Sequence, residues 1–123
     1  MPQVRHVAIV DDDVATRKAL ARLLRAHGLD SRTYASGPDF LKALPFEAPD
    51  CLITDVNMPE MTGLELQGEL AHRGLHIPTV VITGFDLDGV RDKCVALGAV
   101  AYLRKPVEGE TLIAAINSSL GPK

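Results

Sequence analysis

Five short apolar runs, each followed by a stretch of helical periodicity, predict a doubly wound α/β fold on a five-stranded parallel sheet. Three observations carry this. The main runs are continuously apolar rather than alternating, as strands buried on both faces require. Helical patterns separate them, so parallel neighbours are joined by right-handed crossover helices. The connections are short, and no linker, repeat or low-complexity stretch interrupts them, so one domain over residues 1–123 is expected.

Each element has its own warrant. His6–Val10 is apolar and rich in β-branched residues, and it ends abruptly in Asp11-Asp12-Asp13. A helix then runs to His27, with Thr16, Leu20, Leu23, Leu24 and His27 on one face, Arg17, Lys18, Arg22 and Arg25 largely off it, and Gly28 as its stop. Residues 32–35 form a short strand at a sheet edge. Ser36-Gly37-Pro38 opens the next helix, which buries Phe40, Leu41 and Leu44 and ends at Pro45. Cys51-Leu52-Ile53 leads a central strand to Asp55, and the chain turns through Asn57-Met58-Pro59. Residues 64–73 form a helix, loosened at Gly68 and closed by Gly74. Residues 78–83 form the fourth strand, ending in Thr83-Gly84. A helix over 86–97 sets Val90, Cys94 and Leu97 in register before Gly98. Residues 100–103 form the fifth strand, ending in Arg104-Lys105-Pro106, and a last helix over 107–120 buries Leu112, Ile113, Ile116 and Leu120.

Composition excludes several classes. The 123 residues are 46% hydrophobic and 24% charged, enough for a core that buries roughly two-thirds of the unfolded chain's surface. The net charge of −3, with acids and bases interleaved, argues against nucleic-acid binding, which needs a concentrated basic face. Cys51 and Cys94 lie in apolar runs and read as buried small hydrophobes in a reducing compartment. With neither a signal-peptide pattern nor an apolar run of membrane-spanning length, a soluble, cytoplasmic protein is expected.

In an open parallel sheet, ligands collect outside the carboxyl ends of the strands. Four of the five strands deliver a polar side chain there: Asp11, Asp12 and Asp13, then Asp55, Thr83 and Lys105. Clustered carboxylates repel, which raises their pKa values or calls for a cation, and a hard ion such as Mg²⁺ suits their oxygens. A cation, an ammonium and a hydroxyl together cradle the oxygens of a phosphoryl group in transfer, and a carboxylate can attack it to form an acyl phosphate. Blander readings stand beside each residue. Asp13 is assigned to capping the first helix, Asp55 alone could cap or turn, Thr83 could merely end its strand, Lys105 could be a solvated charge, and Tyr102 could be plain packing. The convergence of the set favours the functional reading.

The residues Val10-Asp11-Asp12, Asp55-Val56-Asn57-Met58-Pro59 with Gly63, Val81-Ile82-Thr83-Gly84 and Tyr102-Leu103-Arg104-Lys105-Pro106 carry a resemblance. Over nearly its whole length the sequence resembles the receiver domain of bacterial two-component response regulators. Thr83-Gly84 and the stretch Ser36-Gly37-Pro38-Asp39-Phe40-Leu41 resemble the nitrogen-fixation-regulator subtype. The resemblance implies a flavodoxin-like (βα)5 fold of strand order 2-1-3-4-5. It implies Asp55 as phospho-acceptor from a sensor histidine kinase, and Mg²⁺ held by Asp12, Asp55, the Asn57 backbone carbonyl and, through water, Asp11. Lys105 would pair with the acyl phosphate, across a cis Lys105–Pro106 bond. Thr83 and Tyr102 would switch the face made by the fourth helix, fifth strand and fifth helix, controlling an output partner or a receiver–receiver homodimer. Such a domain catalyses only its own phosphorylation and dephosphorylation.

Three departures qualify the resemblance. Thr62 stands where an acidic residue often precedes the glycine, Phe85 is apolar where many relatives are polar, and this sequence shows no output module after Leu120, as expected either of a stand-alone receiver or of a fragment that lacks its effector. With Asn57, Phe85 bears on water access to the acyl phosphate. Two rival readings stand beside the resemblance. Residues 8–14 also fit a haloacid-dehalogenase-like phosphatase with Asp11 as nucleophile and Asp13 as general acid, but 123 residues leave little room for its further motifs and Asp55-x-Asn-Met-Pro would be unexplained. An interaction domain that takes no phosphate would be favoured if an acidic, Thr or Lys position were missing, and none is. His72 and His76 read as surface residues, because Gly74 breaks the helix between them.

Overall fold

The computed structural model of the chain describes residues 6–85 and 88–121. Strands β1 (His6–Val10), β2 (Asp30–Tyr34), β3 (Cys51–Asp55), β4 (Thr79–Thr83) and β5 (Ala99–Arg104) alternate with helices α1 (Val14–Ala26), α2 (Gly37–Ala43), α3 (Gly63–His72), α4 (Val90–Ala96) and α5 (Gly109–Leu120). The sheet has the order β2-β1-β3-β4-β5, with every pairing parallel. This is the flavodoxin-like arrangement that the resemblance implied.

Period-two alternation along the strands divides the core. Val7, Ile9, Cys51, Ile53, Val80 and Ile82 face α1 and α5, where Leu20, Leu24, Leu112, Ile113 and Ile116 meet them. Ala8, Val10 and Leu52 face α2 and α3 on the other side, against Phe40, Leu41, Leu44, Leu66 and Leu70. Val81 packs there with Cys94 of α4 and with Val56. Because β1, β3 and β4 are covered on both faces, they are continuously apolar. The edge strand β2 (DSRTY) has no fully buried residue and carries no such run.

Boundaries moved where a local contact outweighed the periodic pattern. β2 begins at Asp30, two residues before the expected start, because its register pairs Asp30 with His6. His27 is exposed rather than on the buried face of α1. It is the C-cap, with its Nδ1 3.0 Å from the Leu23 carbonyl. Leu97, expected in the buried register of α4, is 38% exposed as that helix's C-cap. α4 starts only at Val90, after Gly89 in the left-handed region at φ 81°, and the expected start at residue 86 lies outside the described residues. α5 begins at Gly109 rather than 107, with Glu108 as its N-cap. Among the described residues, no helix is long and apolar enough to cross a membrane.

Candidate functional site

The strand ends bring the predicted residues together. β1 runs out into Asp11, β3 ends on Asp55, β4 ends on Thr83, and Lys105 follows β5 with its N–H on the Thr83 carbonyl at 2.8 Å. Asp11 is wholly buried and Asp55 is 5% exposed, while Asp12 stands in solvent. One carboxylate oxygen from each of Asp11, Asp12 and Asp55 lies within 4.8 Å of the others. Asp13 does not join them. It caps α1, accepting from the Thr16 N–H at 3.3 Å and the Thr16 hydroxyl at 2.6 Å.

Lys105 sits between the two buried acids, its Nζ 2.9 Å from Asp55 Oδ2 and 3.3 Å from Asp11 Oδ2. The remaining oxygens are held by backbone: Asp13 N–H donates to Asp11 Oδ1 at 2.9 Å and Asn57 N–H to Asp55 Oδ1 at 3.1 Å. Burial raises the Asp11 pKa, the Asp55 charge adds to the rise, and the Asp13 N–H and Lys105 only partly offset it. Burial alone would depress the Lys105 ammonium, but its hydrogen bond to Asp55 and the two nearby carboxylates outweigh that and raise its pKa. The Lys105–Pro106 peptide is cis.

Three carboxylates thus gather where two of them share one ammonium, and the most buried of the three is reluctant to ionise. An all-oxygen donor set with excess negative charge fits a hard divalent cation.

The loop after β3 is anchored on both sides. Met58 is buried with the α2–α3 side of the core, and the Gly63 N–H bonds the Val56 carbonyl at 2.9 Å. A side chain at Gly63 would collide with the Asp55 carbonyl, which is why α3 starts on glycine. Between these anchors Met61 N–H reaches Pro59 O at 2.7 Å across Glu60, whose φ is 69°. Thr62 has an occupation of its own. It forms a capping box with Glu65, its hydroxyl on the Glu65 N–H at 3.1 Å and its N–H on Glu65 Oε1 at 2.9 Å.

Thr83 is buried and Phe85 is 71% exposed. Tyr102 pairs with Val81 and packs, half-buried, against the cluster of Val56, Val81 and Cys94. His72 and His76 are both exposed, with α3 ending at His72 and Gly74 at φ 73°. The phosphatase alternative finds no support in this geometry. Asp11 has both oxygens engaged at the floor of the site, and Asp13 is occupied as a cap.

Two contacts were not anticipated from the sequence. Arg17 of α1 donates to the Asp11 carbonyl at 2.7 Å, and the buried Gln67 of α3 donates to the Cys94 carbonyl at 3.0 Å. The Thr62-x-x-Glu65 capping signature was readable. Nothing in the linear pattern marks Gln67, which lies on the buried side of its helix.

Residues 7–117 match the family model described as the response regulator receiver domain. The chain belongs to that family. It is a receiver of two-component signalling, a signalling module rather than an enzyme. It is 40% identical over 122 residues to the transcriptional regulatory protein FixJ of Azorhizobium caulinodans, which covers 98% of this chain and 57% of that protein. It is also 40% identical to the response regulator protein TmoT of Ectopseudomonas mendocina, over 93% of this chain and 52% of that one. The chain therefore spans a little over half the length of these curated relatives. Among solved structures, FixJ-N superposes with a TM-score of 0.88 at 34% identity, covering 97% of this receiver and 95% of that chain. A receiver protein from Burkholderia phymatum gives 0.84 at 43%, covering 97% of each. The expected likeness to the nitrogen-fixation-regulator type is borne out by the FixJ matches.

Proposed function

We propose that residues 1–123 form one receiver domain that accepts a phosphoryl group on Asp55 from the phosphohistidine of a sensor histidine kinase. The observation that carries this is the position of Asp55: nearly buried at a strand end, with Lys105 Nζ at 2.9 Å and acidic oxygens of Asp11 and Asp12 within 4.8 Å. A carboxylate oxygen of Asp55 attacks phosphorus as the phosphorus–nitrogen bond breaks. The electron pair leaves with the imidazole, and an acyl phosphate remains on Asp55.

Mg²⁺ would be held by Asp12 and Asp55, by the Asn57 backbone carbonyl and through water by Asp11. Bound there, it supplies positive charge to the phosphoryl oxygens. Lys105 pairs with the transferred group. The Thr83 hydroxyl turns toward it, and Tyr102 follows into the space released, repacking α4, β5 and α5. Phosphorylation shifts the population between the two arrangements. The repacked face controls an output module or partner, or a receiver–receiver homodimer, in the cytoplasm, with neither nucleic acid nor membrane as a direct partner of this domain.

Intact-mass analysis with acetyl phosphate and Mg²⁺ tests the assignment. One labile phosphate mapping to Asp55, dependent on Mg²⁺ and lost in Asp55→Asn without unfolding, is the expected result. Labelling of Asp55→Asn at normal stoichiometry, or phosphate on Asp11, would overturn it. Lys105→Ala should still accept phosphate yet fail to switch, read as an unchanged α4–β5–α5 amide spectrum on phosphorylation.

A further inference from the structure

We propose that the side chain of Asn57 is a resting-state latch on Thr83, and that it sets how readily the receiver switches. The inference rests on the phospho-acceptor reading above and adds to it a positioning residue that acts through Thr83 rather than on the phosphoryl group.

The hydrogen bonds of Thr83 carry the argument. Its hydroxyl donates to the Phe85 carbonyl at 2.6 Å and accepts from the Phe85 N–H at 3.0 Å. It also accepts from Asn57 Nδ2 at 3.3 Å. A hydroxyl has one proton and two lone pairs, so every position on Thr83 Oγ1 is taken. The proton's commitment to Phe85 also fixes which end of the Asn57 amide faces it, since only the NH₂ can approach an oxygen whose proton points elsewhere.

To donate to a phosphoryl oxygen, Thr83 must release the Phe85 carbonyl and turn its oxygen away from Asn57. A contact made in only one of two states biases the equilibrium by its own free energy. Asn57 is well placed to do this. Its backbone N–H is fixed on Asp55 Oδ1 at 3.1 Å, so its carboxamide reaches Thr83 from the acceptor's own loop. Phe85 is 71% exposed, and its backbone carbonyl and N–H, both bonded to the Thr83 hydroxyl, form the other half of the latch. The side chain of Asn57 can be removed while its backbone contacts remain.

Beryllofluoride with Mg²⁺, as a phosphoryl analogue, provides one readout, and hydrogen exchange of the Phe85 amide in the metal-free, analogue-free protein provides the other. Wild type, Asn57→Ala, Thr83→Val and the double variant are compared. Asn57→Ala should bind the analogue about two- to fivefold more tightly and speed Phe85 exchange by a similar factor, the range expected for one partly exposed hydrogen bond. Both effects should vanish in the Thr83→Val background. Unchanged Phe85 exchange in Asn57→Ala, or an effect that persists undiminished without the Thr83 hydroxyl, would overturn the latch. Wild type that captures no analogue would overturn the acceptor reading separately, because the exchange measurement on the free protein needs neither metal nor analogue.

Discussion

At the amino edge of the sheet the chain returns from helix to strand through turns that satisfy the groups they free. At the carboxyl edge three carboxylates gather and two of them share one ammonium. α1 closes with Gly28 N–H on Arg25 O at 3.0 Å and Leu29 N–H on Leu24 O at 2.9 Å, and α3 closes the same way through Gly74 and Leu75 on Ala71 and Leu70. These are Schellman closures, with glycine at φ 76° and 73° in the place that needs it. The opposite edge breaks the local rules. It buries Asp11 beside Asp55 and holds Glu60 at positive φ. A fold with one edge obeying propensity and one violating it has put its stability in the first and its chemistry in the second.

The largest effect should come where the two demands meet, at Gly63. A methyl group there strikes the Asp55 carbonyl and the Val56 backbone, neither of which can yield without moving Asp55. Gly63→Ala should lose about 3 kcal/mol in urea unfolding, with phosphoryl acceptance falling in parallel. A variant as stable as wild type would show that the β3–α3 junction is softer than its contacts indicate.

Next come the charges, where two substitutions at the carboxyl edge should respond with opposite signs. Lys105→Ala removes the cation shared by Asp11 and Asp55 and should cost about 2 kcal/mol. Asp11→Asn relieves a buried like-charge contact and should gain about 1 kcal/mol while impairing acceptance. The pH dependence follows from the directions of the shifts. The Lys105 pKa is raised, so its contribution is complete below the ordinary value of 10.5 and is lost as pH climbs through the raised one. The Asp11 pKa is raised too, but for an acid the charged form is then the costly one. Its penalty is absent below 3.8 and grows as pH rises through the raised value. Urea midpoints in EDTA across this range, wild type against Asp11→Asn, should converge in acid and separate above it. Parallel curves would refute the assignment.

The same contrast explains what the sequence made legible. Strands buried on both faces write themselves as apolar runs, so β1, β3 and β4 were readable, and the polar residues that interrupt them at one end marked Asp11, Asp55 and Thr83. Asp13 as a cap and Gly74 as a stop followed from local chemistry. Where a boundary depends on a partner strand or on one glycine's dihedral, as at Asp30 and Gly89, the pattern in the chain carries no trace of it. Nor does it for Arg17 and Gln67, whose contacts are made to backbone carbonyls 6 and 27 residues away in sequence. Such acceptors have no residue identity to recognise.

The amino edge should answer to stability alone. The space around Gly74 is open, so Gly74→Ala meets only the strain of a left-handed backbone. About 1 kcal/mol of stability should go, and labelling by acetyl phosphate should be unchanged. A change in labelling without a change in stability would breach the division between the edges.

The smallest effect tests that division from the other side. Glu60 holds φ 69° within a tight turn at the rim of the site, where Met61 N–H bonds Pro59 O. Relief of the left-handed strain is worth about 1–2 kcal/mol, and glycine's extra freedom in the unfolded chain takes back about 0.5–1. Glu60→Gly should therefore stabilise the domain slightly, by less than about 1 kcal/mol in urea unfolding. If the strain serves the site by fixing the loop that carries Asn57, the gain will come with slower phosphoryl acceptance. If the strain is only a by-product of the turn, stability will rise and acceptance will hold, and the rule-breaking at this edge narrows to its charges.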